Sequence, residues 1–214
     1  MSLLVFYGGT FDPVHNGHLA IAGAAHDVLD TTIRMMPAAD PPHRPPPGAS
    51  ADQRAEMLDL AVAGRPGLCV DRRELQREGR SYSIETLGAL RAECGADVPI
   101  ALLVGADSFL GLPAWHRWRE LFAHAHFVVA ERAGNSLDAA LPAELANVLA
   151  GRWCDEPGAL ARSPAGLVLR LHQPMHLESA TAIRHRIAAG GPWRAQVPAA
   201  VADYIQRRRL YLNG

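Results

Sequence analysis

The chain has 214 residues, 49% hydrophobic and 20% charged, enough for one α/β domain with a full core. Lys and Arg number 21 against 22 Asp and Glu, so the formal charge is −1 and no global basic field exists to hold nucleic acid. No apolar run reaches bilayer-spanning length, Met1 leads into a strand without a basic leader, and Cys69, Cys94 and Cys154 form no CxxC; the expectation is a cytoplasmic protein with neither a membrane nor a nucleic-acid partner.

Leu3 to Tyr7 reads as a short apolar strand. Directly after it runs Gly8-Gly9-Thr10-Phe11-Asp12-Pro13-Val14-His15-Asn16-Gly17-His18. The paired glycines permit a sharp turn and close approach of a ligand to the main chain, and Pro13 drives Asp12 out of helical geometry. Asn16 is the expected N-cap of a helix from Gly17 to Leu29, with Leu19, Ala22, Ala25 and Leu29 on one stripe. His18 then lies in a first turn, where free N–H groups and the helix dipole favour an anion. A histidine beside a phosphate gains proton affinity, so His15 and His18 can donate charge-assisted hydrogen bonds. The turn suits the phosphates of a nucleotide. Two histidines at this spacing could also ligate zinc, but a zinc site needs a second ligand cluster, and the cysteines are scattered.

Further along, Thr32–Met36 reads as a strand, Asp52–Ala63 as a helix and Leu68–Asp71 as a short strand. The stiff stretch Pro41 to Pro47 is expected to be a loop over the active end of the sheet, with a PxxP ligand as the alternative. Ser83–Glu93 reads as a helix, Ile100–Val104 as a strand buried on both faces, Trp115–Ala123 as a helix and His126–Ala130 as another buried strand. Residues 151–166 are expected to be a surface excursion, followed by a strand at Leu167–Leu171 and helices at Ser179–Ala189 and Ala199–Arg209. Arg207 to Arg209 read as a solvated helix end. Strands alternating with helices predict an α/β, Rossmann-like doubly wound parallel sheet. One domain over 1–214 is expected, with a small helical C-terminal part over about 179–214. Neither GxGxxG nor GxxxxGK[ST] follows the first strand, which disfavours a dinucleotide oxidoreductase and excludes a P-loop enzyme.

Three other stretches carry chemistry. Ser179, Thr181 and Arg184 combine a helix start, a hydroxyl and a guanidinium, a second anion site; alone, they would read as an ordinary capped helix. Gly105 allows close approach after the strand Ile100–Val104, and Asp107 can accept from a ribose hydroxyl or cap a helix. The hydroxyls and N–H groups of Ser81, Tyr82 and Ser83 could bind a carboxylate. Trp115 and Trp118 divide between stacking platform and core.

The string Gly8 to Leu19 resembles the signature of the HxGH nucleotidyltransferases, with His15-Asn16-Gly17-His18 as the HxGH, and is similar to that of bacterial nicotinate-nucleotide adenylyltransferases. The resemblance implies adenylyl transfer from ATP to nicotinate mononucleotide in NAD biosynthesis, with His15, His18, Thr10 and Arg184 catalytic. On the ATP side it implies Gly8, Gly9, Gly17, Gly105, Asp107 and Arg132, with Ser179 and Thr181 from an ISxTxxR-like stretch. On the mononucleotide side it implies Thr10, Phe11 and Asp107, His43 and Arg44 of a PPHR loop, Ser81, Tyr82, Ser83 and Thr86, and Trp115 as the indole that stacks on the pyridine ring. Mg2+ is expected on substrate phosphates and water, not in a protein cage. Glu178 stands where the family has Ile, and Glu131-Arg132-Ala133-Gly134 replaces an Arg-Pro-Gly turn. Two alternatives stand beside this reading: another HxGH transferase, acting on phosphopantetheine or with CTP, and a non-catalytic nucleotide-binding regulator. Choice between nicotinate and nicotinamide rests on main-chain donors near Ser83 and Trp115, which side-chain identity reports poorly. Whether the chain forms a homo-oligomer stays open.

Overall fold

The computed structural model describes residues 2–40, 47–77, 79–132, 137, 141–173, 176 and 178–212. Strands β1 (Leu4–Gly9), β2 (Ile33–Pro37), β3 (Leu68–Val70), β4 (Ile100–Gly105), β5 (His126–Arg132), β6 (Trp153–Cys154) and β7 (Val168–Gln173) form one sheet. Their order is β3-β2-β1-β4-β5-β7-β6, and the pairings are parallel. Helices α1 (Asn16–Leu29), α2 (Ala51–Val62), α3 (Ser83–Cys94), α4 (Ala106–Leu110), α5 (Leu121–His124), α6 (Ala143–Leu149), α7 (Ala180–Ala188) and α8 (Ala199–Arg208) accompany it. The expected Rossmann-like doubly wound sheet is therefore present.

Successive strand residues point to opposite faces, so each strand feeds two cores. Val5, Tyr7, Met35 and Leu103 pack with Ala22 of α1, Leu58 of α2, Ile183 of α7 and Val201 of α8. Phe6, Met36, Leu102 and Val104 pack with Leu87 and Leu90 of α3 and with Phe122 of α5. Burial on both faces is why β4 and β5 read as unbroken apolar runs. Strand β1 pairs with β2 on one side and β4 on the other, so connections leave in opposite directions there. That reversal opens a crevice at the carboxyl ends of β1 and β4, the usual ligand position in such sheets.

Several local expectations change. Trp115–Ala123 is not one helix: a 3-10 turn over Leu112–Ala114 precedes Trp115, and a second covers Trp118–Glu120 before α5. Arg117 between them has φ 53, a left-handed conformation that no α-helix can carry through. The 151–166 stretch is not merely a surface excursion, because it contributes edge strand β6 and a 3-10 segment, Pro157–Arg162, that buries Leu160. The proline-rich stretch lies outside the described residues except for Pro47. Arg207, Arg208 and Arg209 are exposed at the end of α8, as expected. Among the described residues, no helix is long and apolar enough to cross a membrane.

Candidate active site

The loop after β1 is organised by its own histidines. His15, not Asn16, caps α1: its Nδ1 accepts from the His18 N–H at 3.4 Å, and the His18 Nδ1 accepts from the His15 N–H at 3.3 Å. Asn16 instead occupies the first helical position and donates through Nδ2 to the Ala195 carbonyl at 2.9 Å. Two orphan donors of the helix start are thus satisfied reciprocally, as in a capping box. The two rings stack with centroids 3.6 Å apart. Because each Nδ1 accepts, the proton of each neutral ring sits on Nε2.

Two glycines make that packing possible. A Cβ on Gly17 would lie 3.1 Å from the His15 Nδ1 and 3.3 Å from the His176 Cβ. A Cβ on Gly9 would lie 2.9 Å from the Phe11 ring. Phe11, expected against a mononucleotide, is 2% exposed and meets the His18 ring edge-on at 5.0 Å. It has φ 51, so its side chain turns inward and supports the histidine. Its side chain is therefore part of the core beneath the histidine.

The second motif reaches the same loop. Arg184, in α7, donates through Nη1 to the Asp12 carbonyl at 2.6 Å and lies 3.6 Å from an Asp12 carboxylate oxygen. Its Nη2 also donates to the Thr181 hydroxyl at 3.4 Å. Ser179 and Thr181 are exposed, and Ser179 precedes α7 without a side-chain capping bond. Glu178 pairs with His176 at 3.6 Å, and His176 lies over Gly17.

Below the loop is a polar hub that sequence reasoning missed. The buried Asp12 carboxylate accepts from the Gly48 N–H at 2.8 Å, the Ala49 N–H at 3.1 Å and the Tyr211 hydroxyl at 2.7 Å. Arg54, fully buried, donates to the carbonyls of Thr10 at 2.7 Å, Ala39 at 3.0 Å and Ala49 at 3.3 Å. Burial lowers the Arg54 pKa, and the charge of Asp12 opposes that. Burial first, then the Asp12 charge, push the Tyr211 phenol well above its usual range. A signal for Arg54 did exist: it shares the buried stripe of α2 with Met57, Leu58 and Ala61, at core spacing.

The other candidates line the flanking loops. Gly105 ends β4, and a Cβ there would meet nothing within 4 Å, so protein packing does not require the glycine. Asp107 is exposed in the first turn of α4. Trp118 is buried in the second core, while Trp115 is half-buried against it. Tyr82, before α3, packs its ring on His116 at 4.8 Å, joining the Ser81–Ser83 stretch to the tryptophan loop. Ser81 accepts from the N–H groups of Ala39 at 2.9 Å and Asp40 at 3.3 Å. Thr86 is 2% exposed and donates to Glu74 at 2.7 Å, so its hydroxyl serves an internal network and not an open ligand face. His43 and Arg44 lie outside the described residues, as does the Arg132 side chain; the backbone of Arg132 closes β5. Glu131 of the altered turn accepts from the Leu137 N–H at 3.0 Å.

Among the described residues, no three His, Cys, Asp or Glu side chains gather as a cation site. Both Asp12 oxygens are engaged by donors, and the nitrogens of His15, His18 and Arg184 suit an anion, not a hard cation.

A parallel sheet with a stacked histidine pair at one helix start and an arginine from another defines a nucleotidyltransferase-type site. The chain belongs to the cytidylyltransferase-like family, whose profile matches residues 6–186. It is 59% identical over 216 residues to a Stenotrophomonas maltophilia (strain K279a) protein named "Probable nicotinate-nucleotide adenylyltransferase", spanning 99% of this chain and 97% of that one. A protein of the same name from Xylella fastidiosa (strain 9a5c) is 48% identical over 214 residues, 98% of this chain and 96% of that one. In fold, the chain matches the Plasmodium falciparum nicotinic acid mononucleotide adenylyltransferase complexed with NaAD, with a TM-score of 0.73 at 14% identity, over 100% of this chain and 99% of that one.

Proposed function

We propose that the chain transfers the adenylyl group of ATP to nicotinate mononucleotide, giving nicotinate adenine dinucleotide and pyrophosphate, in NAD biosynthesis. The observation that carries the reading is the join at Asp12, where Arg184 of the second motif is fixed to the loop whose end holds the stacked His15–His18 pair. The relatives at 59% and 48% identity bear the name of that activity. Residues 1–214 act as one nucleotidyltransferase domain, with the helices from about 179 onward carrying the second phosphate motif. Three free cysteines fit a reducing, cytoplasmic setting.

In this reaction a 5′-phosphate oxygen of the mononucleotide bonds to the α-phosphorus of ATP. The bond from that phosphorus to the bridging oxygen breaks, and its electron pair leaves with pyrophosphate. The nucleophile is already an anion, so the chain needs neither a covalent intermediate nor a strong base; alignment and charge stabilisation carry the rate. His15 and His18 donate through Nε2 to phosphate oxygens, with the dipole of α1 behind them. Thr10, Thr181 and Arg184 add donors from the two motifs. Mg2+ bound to the ATP phosphates would supply further neutralisation of charge, while these donors hold the phosphate oxygens. Gly8, Gly9, Gly17 and Gly105 let phosphates and sugar approach the main chain, with Asp107 accepting from ribose. Trp115 stacks the pyridine ring, and Ser83, the first residue of α3, presents its N–H to the ring's carboxylate, with Ser81 and Tyr82 shaping the approach.

A coupled pyrophosphate-release assay tests the reading. Nicotinate and nicotinamide mononucleotides and phosphopantetheine are each offered with ATP or CTP. Turnover highest for nicotinate mononucleotide with ATP is the expected result. Preference for CTP, or for phosphopantetheine, would move the chain to another branch of the family. ATP binding without pyrophosphate release for any acceptor would make it a regulator.

A further inference from the structure

We propose that Glu74 is a positioning residue for acceptor binding, holding the start of α3 and residues 39–40 in place beneath the mononucleotide. The proposal rests on the reading of Ser81–Ser83 given above. Glu74 lies in a 3-10 turn, Arg73–Gln76, and is 6% exposed. A buried carboxylate with no catalytic assignment requires partners, and this one has them. Thr86 donates its hydroxyl to Oε1 at 2.7 Å, and the Ser81 hydroxyl lies close enough to the same carboxyl to oppose the rise in its pKa. Arg77 stands nearby and donates to Thr86 at 3.2 Å.

The two hydroxyls are aligned by what else they touch. The Ser81 oxygen accepts the N–H groups of Ala39 and Asp40, which leaves its own proton to be donated elsewhere. The Ser81 N–H in turn donates to the Asp40 carbonyl at 3.0 Å. Ser81 thereby ties the residues leaving β2 to the residues entering α3, where Glu74 holds Thr86. Those residues are also braced from the opposite side: Arg54 donates to Ala39 with one nitrogen and to Thr10 with another. A buried carboxyl and a buried guanidinium thus brace the two sides of this junction, and the guanidinium reaches on to the phosphate loop. Burial raises the Glu74 pKa, while the hydroxyls and Arg77 oppose that. Among the described residues Glu74 bonds to the start of α3, while Arg184 of α7 bonds to Asp12, so loss of Glu74 should reach the acceptor before it reaches ATP.

The test is steady-state kinetics on Glu74→Ala, Glu74→Gln and Ser81→Ala in the full chain, each checked for folding by its melting temperature. Glu74→Ala is expected to raise KM for nicotinate mononucleotide about tenfold, with KM for ATP and kcat within about twofold, the pattern of lost binding on one substrate. Glu74→Gln keeps an acceptor oxygen for Thr86 and should recover part of the loss. Ser81→Ala cuts the link to residues 39–40 without touching Thr86, so it should give the same split at smaller size even if Glu74→Ala fails to fold. The proposal is overturned if folded variants keep the mononucleotide KM within about twofold, or if both KM values and kcat worsen together. Should the wild-type protein prefer a different acceptor, the reaction proposed above fails, yet the same split read on that acceptor still decides the role of Glu74.

Discussion

The two helix starts that meet at Asp12 are built in opposite ways. The start of α1 is complete without a ligand: both histidine rings cap and stack, and the His18 ring meets Phe11 edge-on. The start of α7 is open: Ser179 and Thr181 are exposed, and Ser179 makes no capping bond. One is a preorganised donor array, of the kind that stabilises developing charge without reorganising during the reaction. The other offers orphan N–H groups that an anion can satisfy. Rate enhancement should therefore depend most on α1, and ligand affinity should draw on α7.

The sharpest way to break this contrast is His18→Asn. The asparagine oxygen can take the place of Nδ1 as acceptor from the His15 N–H, while the donor at Nε2 is lost. The expected outcome is a kcat lower by roughly 100- to 1000-fold, about 2.7–4 kcal/mol of transition-state stabilisation, with a smaller change in KM and little change in melting temperature. Near-normal turnover would remove His18 from the chemistry and leave it a cap.

The hub beneath the loop is tested by Tyr211→Phe, which deletes a 2.7 Å hydrogen bond to a buried carboxylate. Bonds to charged groups contribute about 1.5–3 kcal/mol, so denaturant unfolding should show a loss in that range near neutral pH. The difference should also depend on pH. Folding holds the Tyr211 phenol above its ordinary value of 10.0. Below that value, folded and unfolded chains both keep the proton, and the contribution is fully present. As pH rises past it, the unfolded chain ionises first and the contribution falls by up to about 1.4 kcal/mol per pH unit. Wild-type and Phe stability curves should therefore converge above that pH; parallel curves would show that the hydroxyl is not held by Asp12.

What was legible in the sequence follows the same division. Groups meant for a ligand are displayed in short strings, so Gly8 to His18 and Ser179 to Arg184 stood out. The buried runs of β4 and β5 and the stripe of α1 were equally plain, because periodicity reports burial. Groups that position those strings were invisible for reasons of distance. Tyr211 lies 199 residues from Asp12, and no local pattern announces a pairing of that kind. Arg54 did sit at a core spacing, but a single arginine on an apolar stripe is easily read as a surface charge. General preference favours Asn16 as the cap over His15, whereas the stacking of two rings beside Gly17 that makes His15 the cap is tertiary. Edge strand β6 spans Trp153–Cys154, too short for any period to register.

The smallest effect is the most discriminating for α7. Ser50 caps α2 through a reciprocal box, accepting from the Gln53 N–H at 3.2 Å. Ser179 stands at the equivalent position of α7 but makes no such bond. Ser50→Ala should therefore cost about 1 kcal/mol of stability, the usual penalty for losing a side-chain cap. Ser179→Ala should stay within about 0.5 kcal/mol, like other exposed substitutions. The order should invert when ATP affinity is measured in place of stability. Ser179→Ala removes a hydroxyl at an open phosphate-side helix start, while Ser50→Ala leaves that start untouched. Equal stability losses would mean that Ser179 caps α7 in solution, and the contrast between a finished and an unfinished helix start would disappear.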